Sequence, residues 1–233
     1  TNATRKAIAN LYYRSVEILR PVEVGETLST STVVLGLRDA SPKADLNRGK
    51  VWLGIETRSG EEMIARYERV ALLPCAGDAP GHSDEIPGPT DPASLDSWTS
   101  LVPSWNMSSL PETAWMIGEE RRDPLADHVD LAPALARFTF NQAAIHRDLE
   151  ASSFGERLVY GGHTQGLAQA SLTRLLPGLA TVLGWDGCDH LGPVFEGDRL
   201  SFRHILKEEF SLKDGRILRF ETRASRDGED VLL

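Results

Sequence analysis

The side chains best suited to chemistry are an asparagine and a histidine that precede a diglycine. Asn141 and His146 lie in one short segment, and Gly161-Gly162 follow within the same stretch, Phe138 to Leu176. An imidazole with the ordinary pKa of about 6.5 is largely neutral at pH 7, so it can accept a proton and return it. An asparagine amide cannot remove a proton, but it can orient a water molecule. We therefore predict a reaction site in which His146 carries the proton.

The diglycine marks the predicted start of a helix. A helix begins with backbone N–H groups that have no partner inside the helix, and glycine lets a ligand oxygen approach them closely. The macrodipole adds partial positive charge at this end, so it can stabilise a developing oxyanion. We predict that the backbone N–H of Gly161 or Gly162 binds a substrate oxygen. The residues with helical periodicity are Leu167, Ala170, Ser171, Leu172, Leu175 and Leu176.

Tyr160 and His163 flank the diglycine, and we predict that they contact the substrate together with Gly162. Simpler interpretations stay open for every candidate. His163 could cap the helix, and Asn141 could cap the end of a preceding helix. His146 could be a surface histidine, and the glycines could serve only to pack the helix against a sheet.

The other histidines and the two cysteines are assigned no chemistry. His190 is interpreted as structural, and no sequence argument gives His82 or His204 a function. Cys75 and Cys188 lack the spacing of metal ligands, so we expect free thiols in a reducing compartment and no metal site.

The elements that must position the site come from an internal repeat. Leu11–Leu28 matches Leu183–Leu200 at a shift of 172 positions. Each copy has a strand, a Pro-x-x-x-Gly-acid turn, a long strand, a loop, a strand and a Gly-acid hairpin. Two copies of one antiparallel module, in an α+β fold, are the simplest interpretation. The positions matched at this shift are Pro21 with Pro193, Val22 with Val194, Gly25 with Gly197, Glu26 with Asp198 and Leu28 with Leu200. Further on, with a changed spacing, Glu56-Thr57-Arg58 matches Glu221-Thr222-Arg223 and Gly60 matches Gly228.

Three strands are predicted in the first copy, at Leu28–Leu37, Val51–Thr57 and Met63–Leu73, with a hairpin turn at Gly60. The Gly, Pro and Asp content of residues 75–94 is typical of a linker. We therefore predict a first repeat at 1–74, a linker at 75–94 and a second repeat with the active-site segment at 95–233.

The two copies differ at their edges. Before its matching strand, the second copy has a predicted helix that Asp130 caps and that carries Leu131, Leu135 and Phe138. Only about ten residues precede the match in the first copy. We expect an open sheet face there, covered by residues outside this sequence or by a partner chain.

Composition bounds the class of protein. The chain has 233 residues and a formal charge of −9, which argues against a nucleic-acid surface. No apolar run approaches the roughly 20 residues that span a bilayer, and no signal peptide opens the chain, so we expect a cytoplasmic protein without a membrane partner.

These motifs resemble those of a known family. Tyr160 to His163, followed by Leu167-Ala168, with Gly192 to Asp198 downstream and Asn141 to His146 upstream, resembles the MaoC-like dehydratases. Within them, the sequence is most similar to the two-repeat mesaconyl-CoA hydratases, also called β-methylmalyl-CoA dehydratases. Residues 9–28 resemble the first repeat of that subgroup. The resemblance implies a double hotdog, in which each copy wraps a long helix in an antiparallel sheet and acyl-CoA binds near the helix start.

One departure affects the site. The (R)-specific enoyl-CoA hydratases of the broader family have an Asp where this chain has Asn141, and an Asn-Pro where it has Ala143-Ala144. His146 and Asp148 keep their places. The mesaconyl-type subgroup is similar to this sequence in having Asn, which favours a shared variant of the mechanism over an inactive site.

The resemblance implies reversible syn hydration of a 2-enoyl-CoA thioester, in which CoA is part of the substrate and no metal or redox cofactor is needed. His146 would move the proton, Asn141 would hold the water, and a backbone N–H of the diglycine would polarise the thioester carbonyl. Arg147 and Arg157 are candidates to bind a second substrate carboxylate. Hotdog modules pair, so a homo-oligomer such as a dimer is expected.

Two alternatives stay open. A hotdog acyl-CoA thioesterase would share the fold but attack the thioester carbonyl, with Asp148 or Glu150 as the carboxylate. A non-catalytic acyl-CoA-binding subunit would account for the absence of an Asp at Asn141.

Overall fold

A computed structural model describes residues 4–43, 46–89, 91–152 and 154–233 of the chain, which forms two compact units. The first unit comprises Thr1–Pro92 and Leu183–Asp189, and the second comprises Ala93–Val182 and His190–Leu233. These units follow spatial contacts, whereas the predicted division at residues 74, 75–94 and 95 follows the sequence repeat. The repeat boundaries therefore stay a prediction.

The elements place the chain in the predicted α+β class. The helices are α1 (Ala132–Phe138) and α2 (Gly161–Leu175), with short 3₁₀ helices at Leu95–Leu101, Ala144–His146 and Leu149–Ala151. The strands are β1 (Ala9–Ile18), β2 (Leu28–Lys43), β3 (Leu46–Ser59), β4 (Glu62–Pro74), β5 (Glu120–Arg122), β6 (Asp127–His128), β7 (Gly184–Asp189), β8 (Arg199–Leu212), β9 (Gly215–Arg226) and β10 (Glu229–Leu232).

The first unit contains an antiparallel sheet in the order β2-β3-β4-β1-β7. The three strands predicted here are confirmed, and each extends beyond its predicted bounds. Gly60 makes the predicted hairpin turn with φ of +59°, a region that favours glycine because it has no Cβ. Strand β2 exposes Leu28, Val33 and Val34. The open face expected of the first copy, and what covers it, stay a prediction.

The repeated turns have the same geometry in both copies. Gly25 and Gly197 have φ of +101° and +96°. In the first copy, the carboxylate of Glu26 accepts a hydrogen bond of 2.8 Å from the backbone N–H three residues earlier. In the second, the carboxylate of Asp198 accepts the matching bond from Phe195, at 2.7 Å. The sequence repeat is therefore also a repeat of local structure.

The second unit contains a sheet in the order β10-β9-β8-β5, with β6 also paired to β8. Helix α2 packs against strands β8 and β9 of this sheet. The Trp115 ring meets the Phe220 ring edge-on, with centroids 4.9 Å apart. Burial of such side chains, at about 25 cal/mol per Å² of apolar surface, holds the helix on the sheet. The core cluster consists of Trp115, Leu172, Leu176 and Leu206, with Leu175, Leu179, Leu218 and Phe220 packed against it.

A buried polar chain crosses the same interface. The imidazole of His204 is fully buried, with Nε2 3.0 Å from Ser171 Oγ on α2 and Nδ1 2.9 Å from Thr222 Oγ1 on β9. Desolvation lowers the pKa of His204 to about 4, because burial disfavours the charged ring. His204 therefore has a structural role that the sequence pattern did not reveal.

The cap predicted for α1 was wrong. The N-cap residue is Leu131 rather than Asp130, and its side chain forms no capping hydrogen bond. Its buried residues are Ala132 and Ala136, whereas Leu131 and Phe138 are exposed at 62% and 83%. A helix of seven residues is too short for its apolar periodicity to decide which face is buried.

The cysteines are free thiols, as predicted. Burial raises the pKa of the Cys188 thiol to about 12, so it is unreactive near neutral pH. Within the described residues, no helix combines the length and apolar character that crossing a bilayer requires.

Candidate active site

The site is built on the first turn of α2. Helix α2 begins at Gly161, as predicted, and Tyr160 is its N-cap with extended backbone angles, φ −75° and ψ 137°. The side chain of the N-cap residue Tyr160 forms no capping hydrogen bond. The backbone N–H of His163 donates to the carbonyl of Tyr160 at 2.9 Å. The first turn therefore keeps the donor character that binding an oxyanion requires.

The two glycines are required by close packing of aromatic rings. A Cβ on Gly161 would lie 2.4 Å from Cε1 and 2.5 Å from Nε2 of His190. A Cβ on Gly162 would lie 2.4 Å from the phenol oxygen of Tyr160. Such distances are far below van der Waals contact, so neither position admits a side chain without rearrangement. The alternative that the glycines serve packing is thus supported, but the packing is against rings, and it is compatible with a role for their N–H groups.

His146 is held beside the strand that leads into α2. It ends the 3₁₀ helix Ala144–His146, is half-buried, and its Nδ1 lies 2.9 Å from the carbonyl oxygen of Leu158. A carbonyl can only accept a hydrogen bond, so Nδ1 carries the proton in this contact. In the neutral ring, Nε2 then has the lone pair. That tautomer is the one a general base needs.

The turn of the second repeat supports this contact. The N–H of Val159 donates to the carbonyl of Val194 at 2.8 Å, and Leu158 forms a β-bridge with Phe195. Leu158 and Val159 are both buried. The Pro-Val-Phe-Glu-Gly-Asp turn therefore fixes the carbonyl that orients His146.

Tyr160 links His146 to the diglycine. Its ring centroid lies 6.1 Å from that of His146, at a tilt of 59°. The same ring lies against Gly162. The structure thus brings His146, Tyr160 and Gly162 into one cluster at the start of α2.

Asn141 is engaged in a local turn. Its Oδ1 accepts a hydrogen bond of 3.0 Å from the N–H of Ala143, and its own N–H donates to the carbonyl of Ala136 at the end of α1. This is the helix-end role that the sequence left open. The amide NH₂ group is the part of the side chain that remains to orient a water, and that role stays a prediction.

His163 is buried, with a relative exposure of 7%, and its Nδ1 has no hydrogen-bond partner among the described residues. Desolvation lowers the pKa of His163, opposed by the nearby charge of Asp130. The ring is therefore neutral at pH 7, and the N-cap residue of α2 is Tyr160. A buried nitrogen of this kind is one that a ligand or a water would satisfy.

The charged candidates differ in their partners. Asp148 caps a short 3₁₀ helix at the surface, because its carboxylate accepts a hydrogen bond of 3.1 Å from the N–H of Glu150. Arg157 forms an ion pair with Glu196. The guanidinium of Arg147 donates to the carbonyl of Gln142 at 3.4 Å, and its buried Nε has no hydrogen-bond partner within the described ranges.

His190, for which a structural role is predicted, has its ring on Gly161. It forms an isolated β-bridge with Leu232. The shift of 172 positions places it opposite Ile18 of the first copy. The structural role of His190 stays a prediction, and this histidine lies where the other copy has an apolar residue.

Comparison with known proteins gives sequence relatives of named activity. The chain is 28% identical over 209 residues to mesaconyl-CoA hydratase of Cereibacter sphaeroides, covering 82% of this chain and 59% of that protein. It is 26% identical over 214 residues to β-methylmalyl-CoA dehydratase of Chloroflexus aurantiacus, covering 83% and 58%. The chain thus spans less than two thirds of the length of these relatives. No family model matches the sequence.

Solved structures confirm the predicted double hotdog. A conserved protein of Mycobacterium tuberculosis with a double hotdog fold is 37% identical, with a TM-score of 0.79 over 99% of this chain and 74% of that one. A MaoC domain dehydratase from Chloroflexus aurantiacus is 22% identical, with a TM-score of 0.78 over 98% and 74%, a likeness that shows the fold alone. Fold and relatives agree: the chain belongs to the double hotdog family.

Proposed function

We propose that the protein catalyses the reversible hydration of a 2-enoyl-CoA thioester, and thus acts as a hydro-lyase. The observation that carries the proposal is the contact between His146 Nδ1 and the carbonyl of Leu158, which leaves Nε2 as the basic nitrogen beside the start of α2. The relatives named hydratase and dehydratase, whose names specify CoA thioesters, support the same reaction class.

In the hydration direction, Nε2 of His146 takes a proton from water as the water oxygen bonds to the β-carbon. The imidazolium then returns a proton to the α-carbon, so the ring ends the cycle neutral. The NH₂ group of Asn141 would hold the water, since its Oδ1 already accepts from Ala143. The reverse sequence eliminates water.

The thioester carbonyl is assigned to the first turn of α2. As the α-carbon gains electron density, the carbonyl oxygen acquires negative charge, and the N–H of Gly161 or Gly162 would stabilise it. Loss of one oxyanion donor typically costs about 100- to 1000-fold in kcat. Tyr160, Gly162 and His163 would contact the acyl group, and the unpartnered Nδ1 of His163 supports this placement.

The substrate proposed is mesaconyl-CoA or another short enoyl-CoA. For a substrate with a second carboxylate, Arg147 is the preferred cation, because Arg157 is already paired with Glu196. The scheme needs no metal or redox cofactor, so activity should survive dialysis against EDTA. A homo-oligomer in the cytoplasm completes the proposal, and light scattering and cell fractionation test those two points.

The experiment that tests the function incubates the purified protein with crotonyl-CoA, mesaconyl-CoA and butyryl-CoA. Loss of enoyl absorbance without release of free thiol supports hydration. Release of CoA thiol from all three substrates would instead indicate a thioesterase. The local capping contact of Asp148 gives that alternative no support.

A non-catalytic acyl-CoA-binding subunit is the second candidate. The observation that favours it is the hydrogen bond from the N–H of Ala143 to Oδ1 of Asn141. This asparagine replaces the carboxylate of the broader family and is engaged in a local turn. Binding of butyryl-CoA by calorimetry, with neither hydration nor thiol release from any of the three thioesters, would select this candidate.

A further inference from the structure

His190 and Tyr160 enclose the diglycine at the start of α2. Tyr160 lies against Gly162, and the imidazole of His190 lies against Gly161. The ring atoms of His190 nearest to the ideal Cβ position of Gly161 are Cε1 at 2.4 Å and Nε2 at 2.5 Å, whereas Nδ1 is at 3.1 Å. The edge that carries Nε2 therefore faces the first residue of the helix.

We infer that His190 is a second imidazole of the site and that its ring donates a hydrogen bond to the thioester carbonyl oxygen beside the first-turn amides of α2. The inference rests on the proposed function and deepens it, because it adds a side-chain donor to the backbone donors. His146 moves the proton, and His190 acts on the carbonyl.

Three observations agree with this role. Nε2 of His190 is inaccessible to bulk water although the residue as a whole is only half-buried, so its polar edge is directed inward. The first copy of the repeat has Ile18 at this position, so the matching place in the repeat does not require a histidine. Gly161 has no side chain, which leaves the space that the polar edge occupies.

The electrostatics of the helix end agree with a neutral donor. The first turn of α2 carries partial positive charge, which opposes a cationic ring and favours an anionic oxygen. A neutral imidazole can donate one N–H without adding to that charge. The developing oxyanion would then lie between the helix amides and this N–H, in a site that excludes water.

The role is tested with His190→Phe, which keeps a ring but removes the donor, and with His190→Gln, which keeps an N–H group. His128→Gln is the matched control, because His128 is an exposed histidine of the same unit. Thermal midpoints identify variants that keep the fold. We expect kcat on crotonyl-CoA to fall about 10- to 100-fold in His190→Phe, with KM changed less than about threefold. We expect His190→Gln to regain most of that loss.

Two kinetic outcomes would overturn the inference. One is a His190→Phe variant with kcat within twofold of the unmodified protein. The other is an equal loss in His190→Phe and His190→Gln, because a role in packing alone would not depend on the donor.

A binding readout separates this inference from the proposed function. Spectra of protein labelled with ¹⁵N-histidine are recorded with and without saturating butyryl-CoA, and the His190 signal is assigned from its absence in His190→Gln. A shift of the His190 signal, with the His128 signal unchanged, supports contact with the thioester even if no enoyl-CoA is hydrated. An unchanged His190 signal in the bound state overturns the inference while leaving hydration by His146 intact. Failure of any acyl-CoA to bind counts against both.

Discussion

The Nδ1 atom of His146 lies 2.9 Å from the carbonyl oxygen of Leu158, two residues before the N-cap of α2. This contact joins the segment that carries the proposed base to the segment that begins the helix. Because Val159 is in turn bonded to Val194, the repeated turn, the histidine and the diglycine form one connected structure.

Replacement of His146 by Ala should lower kcat for enoyl-CoA hydration by about 100- to 10,000-fold, since the proton carrier is removed. The free energy of unfolding should fall by only about 0.5–1.5 kcal/mol, the typical contribution of one hydrogen bond. Steady-state kinetics and urea denaturation measure the two effects. The control is His82→Ala, because His82 is exposed in the first unit. Unchanged kcat in His146→Ala would remove this residue from the mechanism.

Replacement of Gly161 by Ala should destabilise the protein by about 1–3 kcal/mol, because the new methyl group meets the His190 ring. Gly166→Ala is the matched control, since Gly166 is in the same helix with open space around its Cβ position. That control should stabilise by about 0.5–1 kcal/mol through helix propensity. Combining Gly161→Ala with His190→Ala should restore most of the lost stability. Equal thermal midpoints for Gly161→Ala and Gly166→Ala would contradict the close packing of the His190 ring on Gly161.

Stability should decrease as pH falls from about 6.5 toward 4, because of His204. The folded-state pKa of His204 is lowered to about 4, whereas the unfolded chain takes up this proton near pH 6.5. Between these values the unfolded state binds more protons, so the free energy of unfolding falls as pH falls, by about 3 kcal/mol in total. His163, whose pKa is also lowered by burial, adds to the loss in the same direction.

Urea denaturation at pH 7 and at pH 4.5 measures this dependence. His204→Gln keeps an amide that can bond to Ser171 and Thr222 but has no titrating ring. Its stability should therefore vary less between the two pH values than that of the unmodified protein. An identical dependence in both proteins would show that His204 does not control the acid response.

Replacement of Leu172 by Ala should cost about 2–5 kcal/mol, because it leaves a cavity between α2 and the sheet. Leu131→Ala is the control, since Leu131 is 62% exposed and should change stability by less than about 0.5 kcal/mol. Chemical denaturation of both variants makes the comparison. Similar losses of stability in Leu172→Ala and Leu131→Ala would contradict the burial of Leu172 between α2 and the sheet.

Replacement of Arg147 by Ala should raise KM for mesaconyl-CoA about tenfold or more while leaving KM for crotonyl-CoA unchanged, since only the former has a second carboxylate to bind. Arg157→Ala is the matched comparison, because it removes a cation already paired with Glu196. Kinetics with both thioesters measure the selectivity. A parallel rise in KM for both substrates would assign Arg147 a local structural role through Gln142 instead.

What the sequence determined by itself was local or periodic. The Pro-x-x-x-Gly-acid turn repeats because Gly25 and Gly197 need positive φ and because the acid that follows each of them bonds to a backbone N–H three residues earlier. The start of α2 at Gly161 and the strands of the first copy were predictable from helical and alternating patterns.

Only the tertiary structure decided the rest. The placement of His190 on Gly161 and the burial of His204 between Ser171 and Thr222 join side chains that are distant along the chain. The exposure of Leu131 and Phe138 depended on what α1 packs against rather than on its own pattern. Periodicity describes which residues share a face, whereas burial and side-chain contact depend on the elements that the folded chain brings against that face.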